Sequence, residues 1–265
     1  MPCTYRYAGP DGEGARNLPE GVGCAIGSEY CVHLLPSAGS LASAAETCIA
    51  RDTPLLLLTP YFRDGELKRL LPLFRAIPGG ADVDVAVNDW GALLVLRALF
   101  PGIRRSVGRL LSGQKRCPRI GASPRLNDAG RAWHGEGLFS SAKARSWLGK
   151  EMGVSGYHVD SLPWGPQSFG TFPDPGDGTP RLYVHSPYAV VTVSDSCPWI
   201  GGASSASLSS CPRSCRQGPV RLREVSMGGD MLQRGKARFH PVRLDDLPPG
   251  VSAKAHGLVY YEDLP

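Results

Sequence analysis

Short, wholly apolar runs alternate along this chain with segments whose apolar residues recur every three or four positions. "GVGCAIG" (21–27) and "PLLLLTPYF" (54–62) are apolar over several consecutive positions and bounded by glycine or proline, which predicts strands buried on both faces. "LASAAETCIA" (41–50) has helical composition, and "DGELKRLLPLFRAI" (64–77) sets Leu67, Leu70, Leu71 and Phe74 on one helical stripe. "ADVDVAVND" (81–89) alternates and ends polar, "WGALLVLRALF" (90–100) reads as a helix, and "RRSVGRLL" (104–111) offers a short strand. The pattern lapses over 112–138. It resumes with a helix, "SSAKARSWLGKEM" (140–152), and a strand, "GYHVDSL" (156–162). Beyond a Pro- and Gly-rich loop (163–180) come "RLYVHS" and "YAVVTVS", then the strand candidates "RFHPVRL" and "GLVYYE". Strand–helix alternation at a near-constant period predicts a parallel sheet. With 265 residues, it fits a TIM-like (β/α) barrel, incomplete or irregular where the pattern lapses. Residues 1–20, polar and rich in Gly and Pro, read as a flexible arm, leaving 21–265 as a single barrel domain with a cysteine-containing C-terminal region.

Composition supports a core that needs no disulfide framework: 42% of residues are apolar. The balance of 29 basic and 24 acidic residues, +5, suits an anionic substrate without demanding nucleic acid. The N-terminus has no basic n-region and no apolar h-region, and no run of 18 apolar residues occurs. These features predict a cytoplasmic protein without a membrane span. There, clustered thiols more often bind metal or do chemistry than pair as disulfides.

The cysteines change the picture most. Cys197-x13-Cys211-x3-Cys215 brings three thiolates into a short segment, a spacing that suits zinc or an iron–sulfur cluster equally. A closed centre needs a fourth ligand, and Cys3, Cys24, Cys31, Cys48 and Cys117 are available. In a barrel, functional residues sit at the C-terminal ends of the strands. Cys31 follows the strand "GVGCAIG" and Cys197 follows "YAVVTVS", so both fall on one rim. Cys24 lies within a strand and Cys48 within a helix, where a small buried apolar residue is expected.

"RLYVHSPYAVVTVSDSC" followed by "CPRSCR" resembles the signature region of peptidase family U-32, the collagenase-like peptidases. The matching positions are Val184-His185, Ser194 to Cys197, and Cys211 to Cys215-Arg216. "GSEYC", "TPYFRDGELKRLLPLF" and "VDVAVNDWGALLVLR" follow the order of the family's first three strands and their exits. Within the family the likeness is greatest to the UbiV/UbiU oxygen-independent hydroxylation proteins. That resemblance implies a 4Fe-4S cluster held by Cys31, Cys197, Cys211 and Cys215, and a part in hydroxylating a quinone-precursor-like small molecule or RNA. It also implies a heterodimer with a second U-32 protein, in which this chain is either a hydroxylase subunit or a non-catalytic iron–sulfur partner. The family name implies peptidase activity as a further alternative. The Gly/Ser-rich "GGASSASLSS" between Cys197 and Cys211 departs from the pattern, as does the 108–130 segment.

Other residues carry two readings each. His185, at a strand end on the rim, suits acid–base work or a structural hydrogen bond. His158 and Asp160 share one face of a strand, as a catalytic pair or a satisfied buried one. Asn88 and Asp89 close a strand, where they bind substrate or cap the helix at Trp90. Arg213 and Arg216 lie beside the thiolates in sequence, as a second shell to a cluster or a solvated pair. The basic run Arg104, Arg105, Arg109, Lys115, Arg116, Arg119 and Arg125 grips phosphates, Arg109 foremost, or is a solvated loop. Cys117, inside this run, has no assigned role. Phosphate-loop, Rossmann and zincin motifs do not occur.

Overall fold

The structure, a computed structural model, describes residues 3–63, 65–162, 164, 180–202, 211–224, 229–242, 255–262 and 264–265. Eight parallel strands close into a barrel in the order β1-β2-β3-β4-β5-β6-β7-β12. The first seven are β1 (Cys3–Tyr7), β2 (Gly23–Gly27), β3 (Leu55–Leu58), β4 (Val83–Val87), β5 (Arg104–Val107), β6 (Gly156–Asp160) and β7 (Arg181–Ser186). The closing strand is β12 (Gly257–Tyr260). Helices α1 (Ala38–Ala50), α2 (Leu70–Arg75) and α3 (Trp90–Leu99) follow β2, β3 and β4. Two short helices, α4 (Arg119–Ala122) and α5 (Asp128–Gly135), precede α6 (Ala142–Lys150) between β5 and β6.

The expected barrel is therefore present and closed, with an irregular outer layer in the 112–138 stretch where periodicity lapses. Every residue of β2, β3, β4 and β6 is buried, as strands covered on both faces must be. Outward-facing Ile26, Leu55, Leu57, Val85, Tyr157, Val159, Leu182 and Val184 pack under the helices. Inside, Tyr5, Ala25, Leu56, Leu58, Ala86 and Val259 fill the side nearest β2 and β3. The opposite side is polar, built on Ser106, His158, Asp160 and His185, all at or below 1% exposure.

Two expectations are corrected here. Residues 3–7 are not an arm: β1 pairs with β2 on one side and β12 on the other. Its alternation of polar and aromatic residues matches a strand in which Tyr5 points into the barrel. "YAVVTVS" is not a barrel strand either. It forms β8 (Tyr188–Val193), the edge of a four-stranded antiparallel sheet. The other members are β9 (Val220–Glu224), β10 (Gly229–Arg234) and β11 (Ala237–Pro241), and the spatial order is β8-β11-β10-β9. This sheet lies against the barrel mouth, where Phe239 meets Tyr30 edge-on at 5.1 Å. The predicted loop 163–180, apart from Trp164 and Pro180, and the Gly/Ser-rich stretch 203–210 lie outside the described residues. Among the described residues no helix is long and apolar enough to cross a membrane.

Candidate functional site

The mouth is assembled by two close backbone approaches that only glycine allows. Gly27 ends β2 with φ +94°, and a Cβ there would stand 2.3 Å from the Leu58 carbonyl oxygen. The chain can therefore turn across the barrel, and the Ser28 hydroxyl accepts the N–H groups of Tyr30 and Cys31, each at 3.3 Å. Glu29 is thereby aimed inward. Gly108 lies against Asn88, whose Oδ1 would be 2.2 Å from an added Cβ. Asn88 in turn accepts from Leu110 N at 2.9 Å and donates to the Thr59 carbonyl at 2.9 Å and Glu29 Oε1 at 3.3 Å.

Arg109 is the centre of this arrangement and has no exposed surface. Its Nε donates to Glu29 Oε2 at 2.7 Å. Nη1 donates to Asp160 Oδ1 at 2.8 Å and the Tyr188 carbonyl at 2.9 Å. Nη2 donates to the hydroxyls of Tyr30 and, at 3.5 Å, Tyr261. The guanidinium has five donors, and these five acceptors use them all. Its carbon lies 5.4 Å from both the Tyr30 and Tyr261 ring centres. Arg116 pairs with the second oxygen of Asp160, so two arginines balance two buried carboxylates. Burial opposes the charge of Arg109, but Glu29 and its other neighbours more than restore it, raising its pKa well above the usual value. Removing one member would strand a buried charge, at about 3–5 kcal/mol.

Below this cluster the polar residues form a row. His185 Nδ1 is 2.7 Å from the Tyr261 hydroxyl, and its Nε2 is 2.8 Å from His158 Nδ1. His158 Nε2 is 2.8 Å from Ser106 Oγ. Burial first, then the positive Arg109, lowers His158 to about 3 and His185 well below the usual histidine value. Both imidazoles are neutral at physiological pH.

Cys31 and Cys215, on different segments, each feel the charge of Cys197 and Cys211. Burial raises the Cys215 thiol to about 11, and repulsion from Cys31, Cys197 and Cys211 adds to the shift while Arg234 opposes it. Cys31 is raised by burial and by Cys211 and Cys197, and eased by a backbone N–H and by Lys236. Arg213 adopts a left-handed φ of +55°, which lays its own N–H on Cys211 Sγ at 3.4 Å. The tight β10–β11 turn carries Arg234 and Lys236 to the thiols. Arg234 Nε donates to the Cys215 carbonyl at 3.2 Å, and Lys236 Nζ donates to the Tyr61 hydroxyl at 3.0 Å. Among the described residues, no group of three or more His, Cys, Asp or Glu side chains is arranged to hold a single metal ion. Four thiols from three chain segments within charge range of one another, with two cations beside them, fit a thiolate-held centre in donor type and charge.

The structure thus joins His158, Asp160, His185, Arg109 and Asn88 in one buried network. Arg109 and Asn88, read as substrate-binding, both hold Glu29, and Arg109 also holds Asp160. Asp89 does not join them. Its Oδ1 accepts from Ala92 N at 2.9 Å and caps α3. The guanidinium groups of Arg213 and Arg216 pair with Asp11 at 3.2 and 3.0 Å, and Arg216 also reaches Glu13 at 2.7 Å. The basic run divides: Arg109 and Arg116 turn inward, while Arg104 pairs with Asp82. Cys24 and Cys48 hydrogen-bond to each other in the core between β2 and α1.

No family model and no curated protein matches the chain. A solved structure described as that of the U32 peptidase Mk0906 matches with a TM-score of 0.48 and 11% identity, over 100% of this chain and 94% of that one. The sites described above rest on this chain's own residues.

Glu29, Tyr30, Tyr261, Ser106, Arg234 and Lys236 were not singled out from the sequence. Glu29 stands in "GSEYC" just past a barrel strand, and Tyr261 just past "GLVY". The rule that barrel chemistry gathers at strand ends points to both once those strands are placed. The cations of the hairpin "RGKA" carry no such signal.

Proposed function

We propose that Cys31, Cys197, Cys211 and Cys215 hold a 4Fe-4S cluster over the barrel mouth, and that the protein takes part in oxygen-independent hydroxylation of a small molecule. The observation that carries this reading is that Cys31 and Cys215, far apart in sequence, are each raised in part by the charge of Cys197 and Cys211. Arg234 and Lys236 supply positive charge where a cluster with four thiolates would be anionic. The likeness of the Cys-x3-Cys-Arg region to the U-32 signature favours iron and sulfide over zinc. When bound, such a cluster supplies single-electron transfer. This chain's own residues provide the rest: the Glu29–Arg109–Asp160 network fixes a rigid, charge-balanced floor beneath the thiols, and Tyr261 and His185 hold exchangeable protons at that floor. A quinone-precursor-like substrate suits the mixture of aromatic rings and buried charge better than RNA, since Arg104, Arg109 and Arg116 are paired with Asp82, Glu29 and Asp160.

Anaerobic reconstitution with iron and sulfide, followed by metal analysis and electron spin resonance after reduction, tests this. About four irons and four sulfides per chain are expected, with loss on Cys31→Ser or Cys215→Ser. A protein that takes up one zinc and no iron would overturn the cluster. A second barrel chain retained through purification is the outcome expected if the protein works as half of a heterodimer. For a peptidase, Ser106 and His158 have the contact of a nucleophile and its base. Both are wholly buried beneath Arg109, where a polypeptide has no approach.

A further inference from the structure

The two arginines of "CPRSCR" converge on one carboxylate from the other end of the chain. Asp11 Oδ2 accepts from Arg213 Nη1 at 3.2 Å and from Arg216 Nη1 at 3.0 Å, and Glu13 Oε1 accepts from Arg216 Nη2 at 2.7 Å. The side chain of Asp11 is 17% exposed, and those of Arg213 and Arg216 are 36% and 28% exposed. Solvent therefore screens this set of two cations and two carboxylates only in part, and a network holds geometry better than an isolated surface pair.

Asp11 is a fixed point of the barrel. Its loop joins β1 to β2 and is folded on itself: Gly12 N–H donates to the Gly9 carbonyl at 3.3 Å and Gly14 N–H to the Ala8 carbonyl at 3.0 Å. A Cβ on Gly12, φ +75°, would stand 3.2 Å from the side chains of Ala44 and Ile26, so the loop lies close on α1 and β2. The Pro10 carbonyl accepts from Gly27 N–H at 3.1 Å. Gly27 is also the residue that turns the chain towards Cys31. Both sides of the thiol set thus take their position from the end of β2, Cys31 through the chain itself and the Cys211–Cys215 turn through Asp11.

Arg213 needs such a hold. Its φ of +55° lies in the left-handed region, which a side chain resists and glycine does not. In that conformation its N–H meets Cys211 Sγ at 3.4 Å. Its carbonyl accepts from Arg216 N–H at 2.9 Å and so starts the short turn Ser214–Gln217, which carries Cys215. Two guanidinium groups on one oxygen fix that turn at both ends. On its far side Arg234 Nε donates to the Cys215 carbonyl at 3.2 Å, so the turn is held between the barrel and the second sheet.

We propose that Asp11 is a positioning residue for the thiolate-held centre: through Arg213 and Arg216 it keeps Arg213 left-handed, and so keeps a backbone N–H on Cys211 Sγ. The clasp rests on the cluster reading for its purpose but not for its geometry. A hydrogen bond to a ligating sulfur stabilises negative charge there and makes the centre easier to reduce.

The test separates backbone from side chain. Arg213→Gly and Arg213→Ala both remove the guanidinium, but only glycine takes the left-handed conformation freely. After anaerobic reconstitution with iron and sulfide, Arg213→Ala and Asp11→Ala should each lose iron to a chelator several-fold faster than the natural protein and show a more negative reduction potential. Arg213→Gly should match the natural protein, and adding it to Asp11→Ala should restore both readouts. Equal losses in Arg213→Gly and Arg213→Ala, or no loss in Asp11→Ala, would overturn the clasp. The chain without iron gives a second readout. Trypsin should cut the Arg216–Gln217 bond faster in Asp11→Ala and Arg213→Ala than in the natural protein or Arg213→Gly. A natural chain that binds no iron sinks the cluster reading alone; the trypsin result then decides the clasp, and equal cutting in every chain overturns it.

Discussion

At the scale of single residues, the interior chemistry depends on burial more than on residue type. His158 and His185 would titrate near pH 6.5 in an unfolded chain. In the barrel both are held neutral to far lower pH, His158 to about 3. As pH falls below about 6.5 the unfolded chain gains protons on these rings that the folded protein refuses, so stability must fall. The stability is fully present above pH 6.5 and is lost on acidification. Between about pH 6.5 and 5 each ring should add a slope approaching 1.4 kcal/mol per pH unit. Urea unfolding across that range should show a shallower slope in His158→Gln than in the natural protein. Equal slopes would mean the ring is not held neutral. The sequence shows that His158 and Asp160 share a strand face, and that His185 ends a strand. It does not show that Arg109, inside an apparently solvated basic run, has no exposed surface. Its partners Glu29 and Asp160 come from other strands, and charge pairing across a barrel leaves no local pattern.

At the scale of elements, the strands covered on both faces were legible because a continuous apolar run has few other destinations, as in "PLLLLTPYF" and "VDVAV". β1 was not. "CTYRY" sits among glycines and prolines, and its alternation signals a strand only when a barrel interior receives Tyr5. β8 misled because an apolar strand looks the same in a parallel barrel as in an antiparallel sheet. The turn after β2 is decisive for the site. Gly27→Ala would force a side chain into the left-handed region and against the Leu58 carbonyl. It should lower unfolding free energy by at least 1–3 kcal/mol, an order-of-magnitude figure for strained backbone, and loosen Glu29 and Cys31 together. Thermal unfolding and thiol titration of the folded protein are the measurements. Unchanged stability with unchanged thiol reactivity would show that the turn tolerates a side chain.

At the scale of the whole molecule, strand–helix alternation and length were enough to predict a (β/α) barrel, and the barrel is there. The second sheet was not predictable, because its strands are short and its pairing is set by contacts with the mouth rather than by periodicity. β12 binds this architecture together. It fills the gap between β7 and β1, and it places Tyr261 at the head of the polar row. A variant ending at residue 254 should therefore lose cooperative unfolding and the near-ultraviolet circular dichroism of its packed tyrosines. A compact, cooperatively folding product would mean that seven strands suffice.

The meeting of β1 and β12 also has a consequence during synthesis. Arg6 reaches Glu262 across that seam, 256 positions apart in sequence. A ribosome must deliver the chain through β12 before the first strand finds its second neighbour. Until then β1 and β7 are open edges with unpaired backbone groups, the kind that invite wrong partners. The nascent protein is at its most vulnerable before β12 emerges, and protection by a chaperone would matter most at that moment.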